Sequence, residues 1–221
     1  MKDALVTAVA DVKINAGGVQ LDGIWSTPRV LRGTVAFAHG SGSGRRSVRN
    51  QYVADVLVHA GLATLLLDLL TAEEEAIDDR TGQLRFDVDF LSYRLDVAVA
   101  WCRTNVGYGG LGLFGASTGA AAALISAARH PTSVDVVVSR GGRPDMAASA
   151  LPNVKAPTLL IVGSEDRQVV QVNRTAAASL TCPHELAVVA GATHLFEEPG
   201  ALQRVAQLAR DWFLTYLTAA S

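Results

Sequence analysis

Short apolar runs separated by longer helix-like stretches are the feature that most constrains the fold of this 221-residue chain. Mostly apolar runs of four or five residues are typical of strands that are buried on both faces of a sheet. Because helices separate the runs, the pattern indicates parallel strands joined by right-handed crossovers. The six runs are Thr34–Ala38, Ala63–Leu67, Leu111–Phe114, Val134–Val138, Thr158–Val162 and Leu186–Val189.

The first 28 residues follow a different pattern, in which valines alternate with polar residues. Segments Val6–Ile14 and Val19–Trp25 flank the turn Ala16-Gly17-Gly18 and predict an antiparallel hairpin. We therefore predict an α/β fold with a single doubly wound, mostly parallel sheet of eight strands and an N-terminal antiparallel hairpin. The predicted helices are Val48–Ala60, Leu84–Cys102, Gly119–Arg129, Val169–Leu180 and Ala201–Leu217.

The remaining sequence offers no boundary between domains, because it has no internal repeat, low-complexity run or Gly/Ser linker. We expect residues 1–221 to form one domain. Glu73-Glu74-Glu75 with Asp78-Asp79 is the one cluster of charge, and we interpret it as a solvated loop. A hydrophobic fraction of 49% with 18% charged residues allows a sizeable core and excludes a disordered chain.

Charge and cysteine content exclude several classes of partner and site. With 19 basic and 21 acidic residues the formal charge is −2, so we expect no nucleic-acid partner. Cys102 and Cys182 lack CxxC spacing, which excludes structural zinc and a disulfide scaffold. No run approaches the ~18 apolar residues that a membrane span needs, so we expect no membrane association and a cytoplasmic location.

The third of the six runs leads into Gly115-Ala116-Ser117-Thr118-Gly119 and then into an alanine-rich helix. This GxSxG motif between a strand and a helix predicts a strained turn that exposes the Ser117 hydroxyl above the sheet. The glycines fit that prediction, because side chains at those positions would collide with the neighbouring strand and helix. We expect Ser117 to be a nucleophile.

A serine hydroxyl needs a base to take its proton, and the base needs a carboxylate to orient it. His194 follows the last strand and is our candidate base, whereas His59, His130 and His184 lie where surface or capping histidines are expected. Asp166, after the strand Thr158–Val162, is the expected carboxylate. The rivals for this carboxylate are Glu165 and Asp68.

The loop Gly40-Ser41-Gly42-Ser43-Gly44 follows the first parallel strand and is rich in small residues. Backbone N–H groups can stabilise the negative charge of an acyl-transfer intermediate, and we assign this role to Thr118 and Ser41, with Gly40 or Gly42 as alternatives for Ser41. Such a loop can also bind a pyrophosphate at a helix N-terminus. An NAD(P)-dependent oxidoreductase, with Asp68 on the ribose, is therefore one alternative, although Arg45 replaces the third glycine of GxGxxG.

Arginines flank the same loops and could select an anionic substrate by bidentate hydrogen bonds. Arg46, Arg140 and Arg143 are our candidates for this role, and Arg45 and Arg49 lie beside them in sequence.

Taken together, the Gly40–Gly44 loop, the Gly115–Gly119 turn, Asp166 and the segment 191–197 resemble the α/β-hydrolase superfamily, in particular its dienelactone-hydrolase-like branch. The resemblance covers nearly the whole chain and extends to hydrolase domains that are fused to phosphoribosyltransferase domains. No such second domain is expected within these residues. The resemblance implies cleavage of a small ester, lactone or thioester through an acyl-enzyme, without a cofactor or a metal. Dienelactone hydrolases use a cysteine nucleophile, whereas this chain has Ser117.

Residues 139–157 occupy the place where many members of the superfamily insert a helical lid. This segment has room for one short helix, so we expect an open site without a large lid. A binding module that keeps the scaffold without catalysis is the second alternative, because fold does not fix function. The sequence leaves the oligomeric state and the acyl group open.

Overall fold

The computed structural model describes residues 6–106 and 109–217, and for Val6 and Thr7 the backbone alone. These residues form an eight-stranded sheet with helices on both faces, which is the α/β-hydrolase fold. Its strands are β1 Val6–Asn15, β2 Gln20–Pro28, β3 Gly33–Ala38, β4 Leu62–Leu67, β5 Gly110–Ala116, β6 Val136–Arg140, β7 Thr158–Gly163 and β8 His184–Val189. Their spatial order is β1-β2-β4-β3-β5-β6-β7-β8.

The predicted hairpin is confirmed, since β1 pairs with β2 antiparallel and β2 pairs antiparallel with β4. All later pairs are parallel. The chain runs from β3 to β4 on one side and then crosses to β5 on the other side of β3. The loops after β3 and β5 therefore leave the sheet in opposite directions and open a crevice at the carboxyl ends of these strands, where doubly wound sheets bind ligands.

The described residues form six α-helices, five of which bury apolar side chains on the sheet. The helices are α1 Val48–His59, α2 Ala72–Thr81, α3 Val88–Val106, α4 Thr118–Arg129, α5 Arg167–Ser179 and α6 Ala201–Tyr216. Apolar side chains from α3, α4 and α5 form the core on one face, and those from α1 and α6 form it on the other. Helix α2 buries only the polar residue Asp78.

The acidic cluster forms helix α2, so the prediction that it is a solvated loop was wrong. Thr71 accepts a hydrogen bond from the Glu74 N–H, and the Glu74 carboxylate accepts one from the Thr71 N–H, so the helix begins with a capping box. Asp78 is buried and accepts hydrogen bonds from the N–H groups of Leu84 and Arg85. The prediction was wrong because a charge count ignores both the capping signal and the partners that a folded chain supplies.

Several element boundaries also differ from the sequence prediction, most clearly at the start of α3. The predicted helix over 84–102 is a short 3-10 turn, Leu84–Phe86, followed by α3, because Asp87 accepts the Phe90 N–H and starts a new helix. The strand predicted at 134–138 lies two residues later. Between β6 and β7 there are only two 3-10 turns, Pro144–Ala147 and Leu151–Asn153, so no large lid covers the crevice.

Candidate active site

Ser117 occupies the sharp turn between β5 and α4 with φ 51° and ψ −119°, a conformation that L-residues rarely adopt. The flanking glycines permit this turn. A Cβ on Gly115 would lie 2.6 Å from the Gly119 carbonyl oxygen, and a Cβ on Gly119 would lie 2.7 Å from the Ala38 carbonyl carbon. The structure thus gives the GxSxG motif the strand–turn–helix geometry that the sequence predicts.

The loop after β3 passes directly beside Ser117. A Cβ on Gly40 would lie 3.1 Å from the Ser117 Cβ, so only glycine lets the backbone approach this closely without a shift. Ser41 follows and is exposed. Thr118 is the first residue of α4, where a backbone N–H has no acceptor inside the helix. The two predicted N–H donors, Thr118 and Ser41, therefore lie on the two segments that meet at Ser117.

His194 and Asp166 are in direct contact, with 2.6 Å between the His194 Nδ1 and the Asp166 Oδ2. Asp166 lies after β7 and His194 lies in the loop after β8, so both come from the same edge of the sheet as Ser117. The rival Glu165 is exposed and accepts a hydrogen bond from the Ser164 hydroxyl at 2.9 Å. Of the two adjacent carboxylates, Asp166 is therefore the one that contacts the imidazole.

The other candidate carboxylate, Asp68, already has hydrogen-bond partners. Its carboxylate accepts hydrogen bonds from both the backbone N–H and the guanidinium of Arg45. These contacts use both carboxylate oxygens, which leaves Asp68 poorly suited to a cofactor ribose as well as to His194.

The segment from Arg140 to Arg143 links Ser117 to His194. The Ser117 N–H donates to the Arg140 carbonyl at 3.1 Å, and the Arg143 N–H donates to the Ser117 carbonyl at 3.2 Å. Between them, a Cβ on Gly141 would lie 3.5 Å from the Nδ1 and the Cε1 of His194. The backbone that supports the serine thus also packs against the imidazole.

The loop that carries His194 is anchored on both sides of the histidine. Phe196 is fully buried in the core although its φ is 57°, and Glu197 forms an ion pair with Arg49 at 3.0 Å. Thr193 donates to Glu198 at 2.5 Å. These anchors were not predicted from the sequence. Phe196, an aromatic residue in a polar loop, is the sequence signal that could have indicated a buried anchor.

His39 is a further residue that the sequence analysis did not single out. Its ring is buried and hydrogen-bonded at both nitrogens: Nδ1 donates to the Gly40 carbonyl at 2.9 Å, and Nε2 accepts the Leu69 N–H at 3.0 Å. Burial lowers the pKa of His39, although the Gly40 carbonyl and the charge of Asp68 oppose this shift. A neutral His39 therefore ties the loop beside Ser117 to the end of β4.

A family model described as "Dienelactone hydrolase family" matches residues 43–217. The chain belongs to the dienelactone hydrolase family. The matched range contains Ser117, Asp166 and His194, whereas His39, Gly40 and Ser41 lie just before it. A solved dienelactone hydrolase from Anabaena variabilis is 54% identical, with a TM-score of 0.93, and the match covers 95% of this chain and 98% of that chain.

More distant structures share the same fold. A lidless α/β serine hydrolase from Xanthomonas campestris has a TM-score of 0.78 at 20% identity, with coverage of 97% of this chain and 98% of that chain. Est1E from Butyrivibrio proteoclasticus has a TM-score of 0.78 at 13% identity, and the coverage is 93% and 98%. At these identities the likeness concerns the fold alone.

A relative from Mycobacterium tuberculosis strain H37Rv is named "Putative phosphoribosyl transferase Rv0571c". It is 52% identical over 209 residues, which are 94% of this chain and 46% of that protein. A second M. tuberculosis relative, from strain CDC 1551, matches to the same extent. The chain thus spans about half the length of the curated relatives it matches.

The three arginines proposed for anion binding differ in their environments in this dienelactone hydrolase family member. Arg46 is exposed in an open groove that Lys13 also lines. Arg143 forms a two-point ion pair with Asp145, at 2.9 Å from its Nε and 2.7 Å from its Nη2. These two side chains are solvated or already paired.

Arg140 is buried, and its guanidinium lies against α1 and the His194 loop. Its Nη2 donates to the Asn50 Oδ1 at 3.2 Å, and its Cζ lies 6.0 Å from the centre of the Phe196 ring. Burial, with a smaller contribution from the charge of Arg49, lowers the pKa of Arg140 to about 10. These contacts favour a structural role for Arg140.

Within residues 6–106 and 109–217, no three or more His, Cys, Asp or Glu side chains are grouped so as to hold a metal ion. In the same ranges, no helix combines the length and the apolar character needed to cross a membrane.

Proposed function

We propose that this dienelactone hydrolase family member is a serine hydrolase that cleaves a small ester, lactone or thioester through an acyl-enzyme. The observation that carries the proposal is the 2.6 Å contact between His194 and Asp166, formed at the same edge of the sheet as the strained Ser117 turn. With Nδ1–H of His194 donating a hydrogen bond to Asp166, His194 presents Nε2 as the base. The chain order Ser, Asp, His also agrees with this class of hydrolase.

The reaction balances on these three side chains. Ser117 Oγ attacks the substrate carbonyl carbon while its proton passes to His194 Nε2, and the N–H groups of Thr118 and Ser41 stabilise the oxyanion. The intermediate collapses to the acyl-enzyme, and the leaving alcohol or thiol takes the proton from His194. Water then attacks the acyl carbon and gives a proton to His194. The second tetrahedral intermediate collapses, the bond from the acyl carbon to Ser117 Oγ breaks, His194 returns the proton to Oγ, and the carboxylic acid leaves.

The state of the two cysteines supports serine rather than cysteine as the nucleophile. Cys102 and Cys182 are both buried, and neither lies on the segments that meet at Ser117. Burial raises the pKa of the Cys102 thiol to about 12 and also raises the pKa of Cys182. Because the thiolate is the reactive form, both thiols are poor nucleophiles near neutral pH.

The open crevice favours small substrates, because the segment between β6 and β7 forms only two 3-10 turns over it.

The name phosphoribosyl transferase refers to the M. tuberculosis relatives as whole proteins, which are longer than this chain. The part that this chain shares with them is matched over most of its length by the hydrolase family model, and hydrolysis is therefore the activity we propose here. A cytoplasmic location and the absence of a nucleic-acid partner stay predictions.

Labelling with a fluorophosphonate probe tests the proposal, because only an activated serine reacts with it. We expect one adduct per chain on wild-type protein, located on Ser117 by peptide mass spectrometry, and no adduct on Ser117→Ala. Ser179→Ala, at the end of α5, is the matched control and should label normally. An unlabelled, folded wild-type protein would support the non-catalytic binding module instead.

The same assay distinguishes the two candidate carboxylates. Asp166→Asn should slow labelling by about three orders of magnitude, since His194 loses the acceptor that fixes its tautomer. Glu165→Gln should label within about threefold of wild type, because it removes only an exposed charge. If Glu165→Gln slowed labelling more than Asp166→Asn, Glu165 would be the residue that orients His194.

A titration with NADH tests the oxidoreductase alternative. Quenching of the cofactor fluorescence would favour that alternative, although its ribose-binding residue Asp68 is already hydrogen-bonded to Arg45.

A further inference from the structure

A small pocket opens beside the proposed oxyanion donors, between the loop after β3 and the segments that follow β4 and α2. Thr118 and the backbone of 40–43 form the side nearest Ser117. Leu70 and Leu91 supply apolar surface. The charged side chains that line the pocket are Asp68, Glu75, Asp78 and Arg85. Its volume is about 20 Å³, so it has room for the polar tip of an acyl group and not for a whole substrate.

Arg85 is held in one orientation by two carboxylates. Its Nε donates to Asp78, and its Nη2 donates to Asp79 at 2.8 Å. Asp78 is itself fixed, because it also accepts the N–H groups of Leu84 at 2.7 Å and Arg85 at 3.2 Å. Burial alone would raise the pKa of Asp78, but these hydrogen bonds and the Arg85 charge lower it, so the carboxylate stays ionised. The guanidinium is thus preorganised.

The third nitrogen of Arg85, Nη1, faces the loop beside the nucleophile. It lies 3.6 Å from the position that a Cβ of Gly42 would take. Among the described residues, the hydrogen bonds of the Arg85 guanidinium use Nε and Nη2 and leave Nη1 without an acceptor. Two N–H donors are therefore available on a fixed group at the wall of this pocket.

The charges around this donor determine which acceptor it suits. Asp78 and Asp79 share the single positive charge of Arg85, and Glu75 adds an exposed carboxylate to the pocket wall. Arg45 balances Asp68 and lies outside the pocket lining. The local charge is therefore negative, which repels a carboxylate on the substrate while leaving a neutral oxygen free to accept from Nη1.

We propose that this pocket receives the carbonyl or hydroxyl oxygen at the end of a neutral acyl group, and that Arg85 selects such a group by donating a hydrogen bond from Nη1 to that oxygen. This inference rests on the proposed hydrolase function and narrows its substrate class. It differs from anion selection by the arginines near the loops, because it predicts that acyl groups bearing a carboxylate are disfavoured.

Three methyl esters of similar size test the proposal: methyl pentanoate, methyl levulinate, which adds a ketone, and monomethyl succinate, which replaces the methyl ketone with a carboxylate. Acid release is followed by titration at constant pH. For wild type we expect kcat/KM for levulinate to exceed those for pentanoate and succinate by about tenfold, the effect of one good hydrogen bond. In Arg85→Met the ratio of kcat/KM for methyl levulinate to kcat/KM for methyl pentanoate should fall about tenfold. Arg80→Met, an exposed arginine at the end of α2, is the control and should keep the wild-type ratio.

Because Arg85→Met could impair folding, Glu75→Gln provides a second test at an exposed position. It should raise kcat/KM for monomethyl succinate about threefold relative to levulinate at low salt, and less at high salt. Hydrolysis of all three esters with ratios that neither variant changes would overturn the inference while leaving the proposed function intact. A preference for succinate that is lost in Arg85→Met would also overturn it, by making Arg85 a carboxylate ligand. Failure of wild type to hydrolyse any ester, together with no fluorophosphonate adduct, would overturn both.

Discussion

Ser117 has a backbone conformation that costs stability, and the proposed function depends on this turn. With φ at 51°, any side chain at this position is strained, whereas glycine adopts such angles readily. The neighbouring contacts with Gly40, Arg140 and Arg143 keep the turn in place despite this cost. Function and stability therefore oppose each other at this residue.

This opposition predicts that Ser117→Gly is more stable than Ser117→Ala by about 1 kcal/mol, although both variants lose activity. The comparison isolates backbone strain, because neither variant has the hydroxyl and alanine keeps the Cβ. Urea unfolding at neutral pH measures the difference. Equal or lower stability of the glycine variant would show that the turn is not strained.

At single residues, the sequence predicts the position along the chain better than the direction of the side chain. Asp166 was distinguished from Asp68 by chain order, and the structure places Asp166 on His194. Arg140 was proposed as a ligand for an anion because it follows a strand, but its guanidinium lies against Asn50 and Phe196. Position along a strand predicts the sheet edge that a residue occupies, whereas the direction of a long side chain depends on what packs around it.

At the scale of elements, the loop after β3 is positioned by a neutral histidine rather than by its glycines alone. His39 joins Gly40 to Leu69, so the loop beside Ser117 is fixed relative to the end of β4. Protonation of His39 would remove the acceptor at Nε2 and place a charge in a buried site.

A lowered pKa for His39 predicts that acid destabilises the fold. Below about pH 6.5 an unfolded histidine binds a proton that the folded His39 does not, so stability falls as the pH decreases. Between pH 7.5 and 5.5 the free energy of unfolding of wild type should fall by about 1 kcal/mol more than that of His39→Gln.

Urea titrations at the two pH values measure this difference. His184→Gln, at the exposed start of β8, is the matched control. If His39→Gln shows the same pH dependence as wild type and the control, His39 does not contribute to acid sensitivity.

Helix α2 shows why some elements escape a sequence prediction. Its apolar periodicity is weak, and five of its ten residues are acidic, so charge patterning favours a loop. The helix forms because Thr71 and Glu74 cap it and because Arg85 and Arg94 pair with its carboxylates. The Thr-x-x-Glu spacing was readable in the sequence, but the arginine partners come from later segments and depend on tertiary structure.

For the molecule as a whole, alternation of apolar runs with helices was enough to predict an α/β fold, the parallel sheet and the edge at which the site lies. The spatial order of the strands did not follow from periodicity, because neighbours such as β3 and β5 are far apart in sequence. That order brings the loops after β3, β5, β7 and β8 to one rim. The topology therefore places Ser41, Ser117, Asp166 and His194 on loops at one rim of the sheet, where the proposed function requires them.

The most direct test of the central claim is the steady-state turnover of an ester by Ser117→Ala, measured with methyl pentanoate on protein whose fold is verified by circular dichroism. If Ser117 is the nucleophile of a hydrolase, kcat should fall by roughly four to six orders of magnitude relative to wild type. A variant that retains hydrolysis within about tenfold of wild type would contradict the account, since binding and the oxyanion donors alone cannot sustain such a rate.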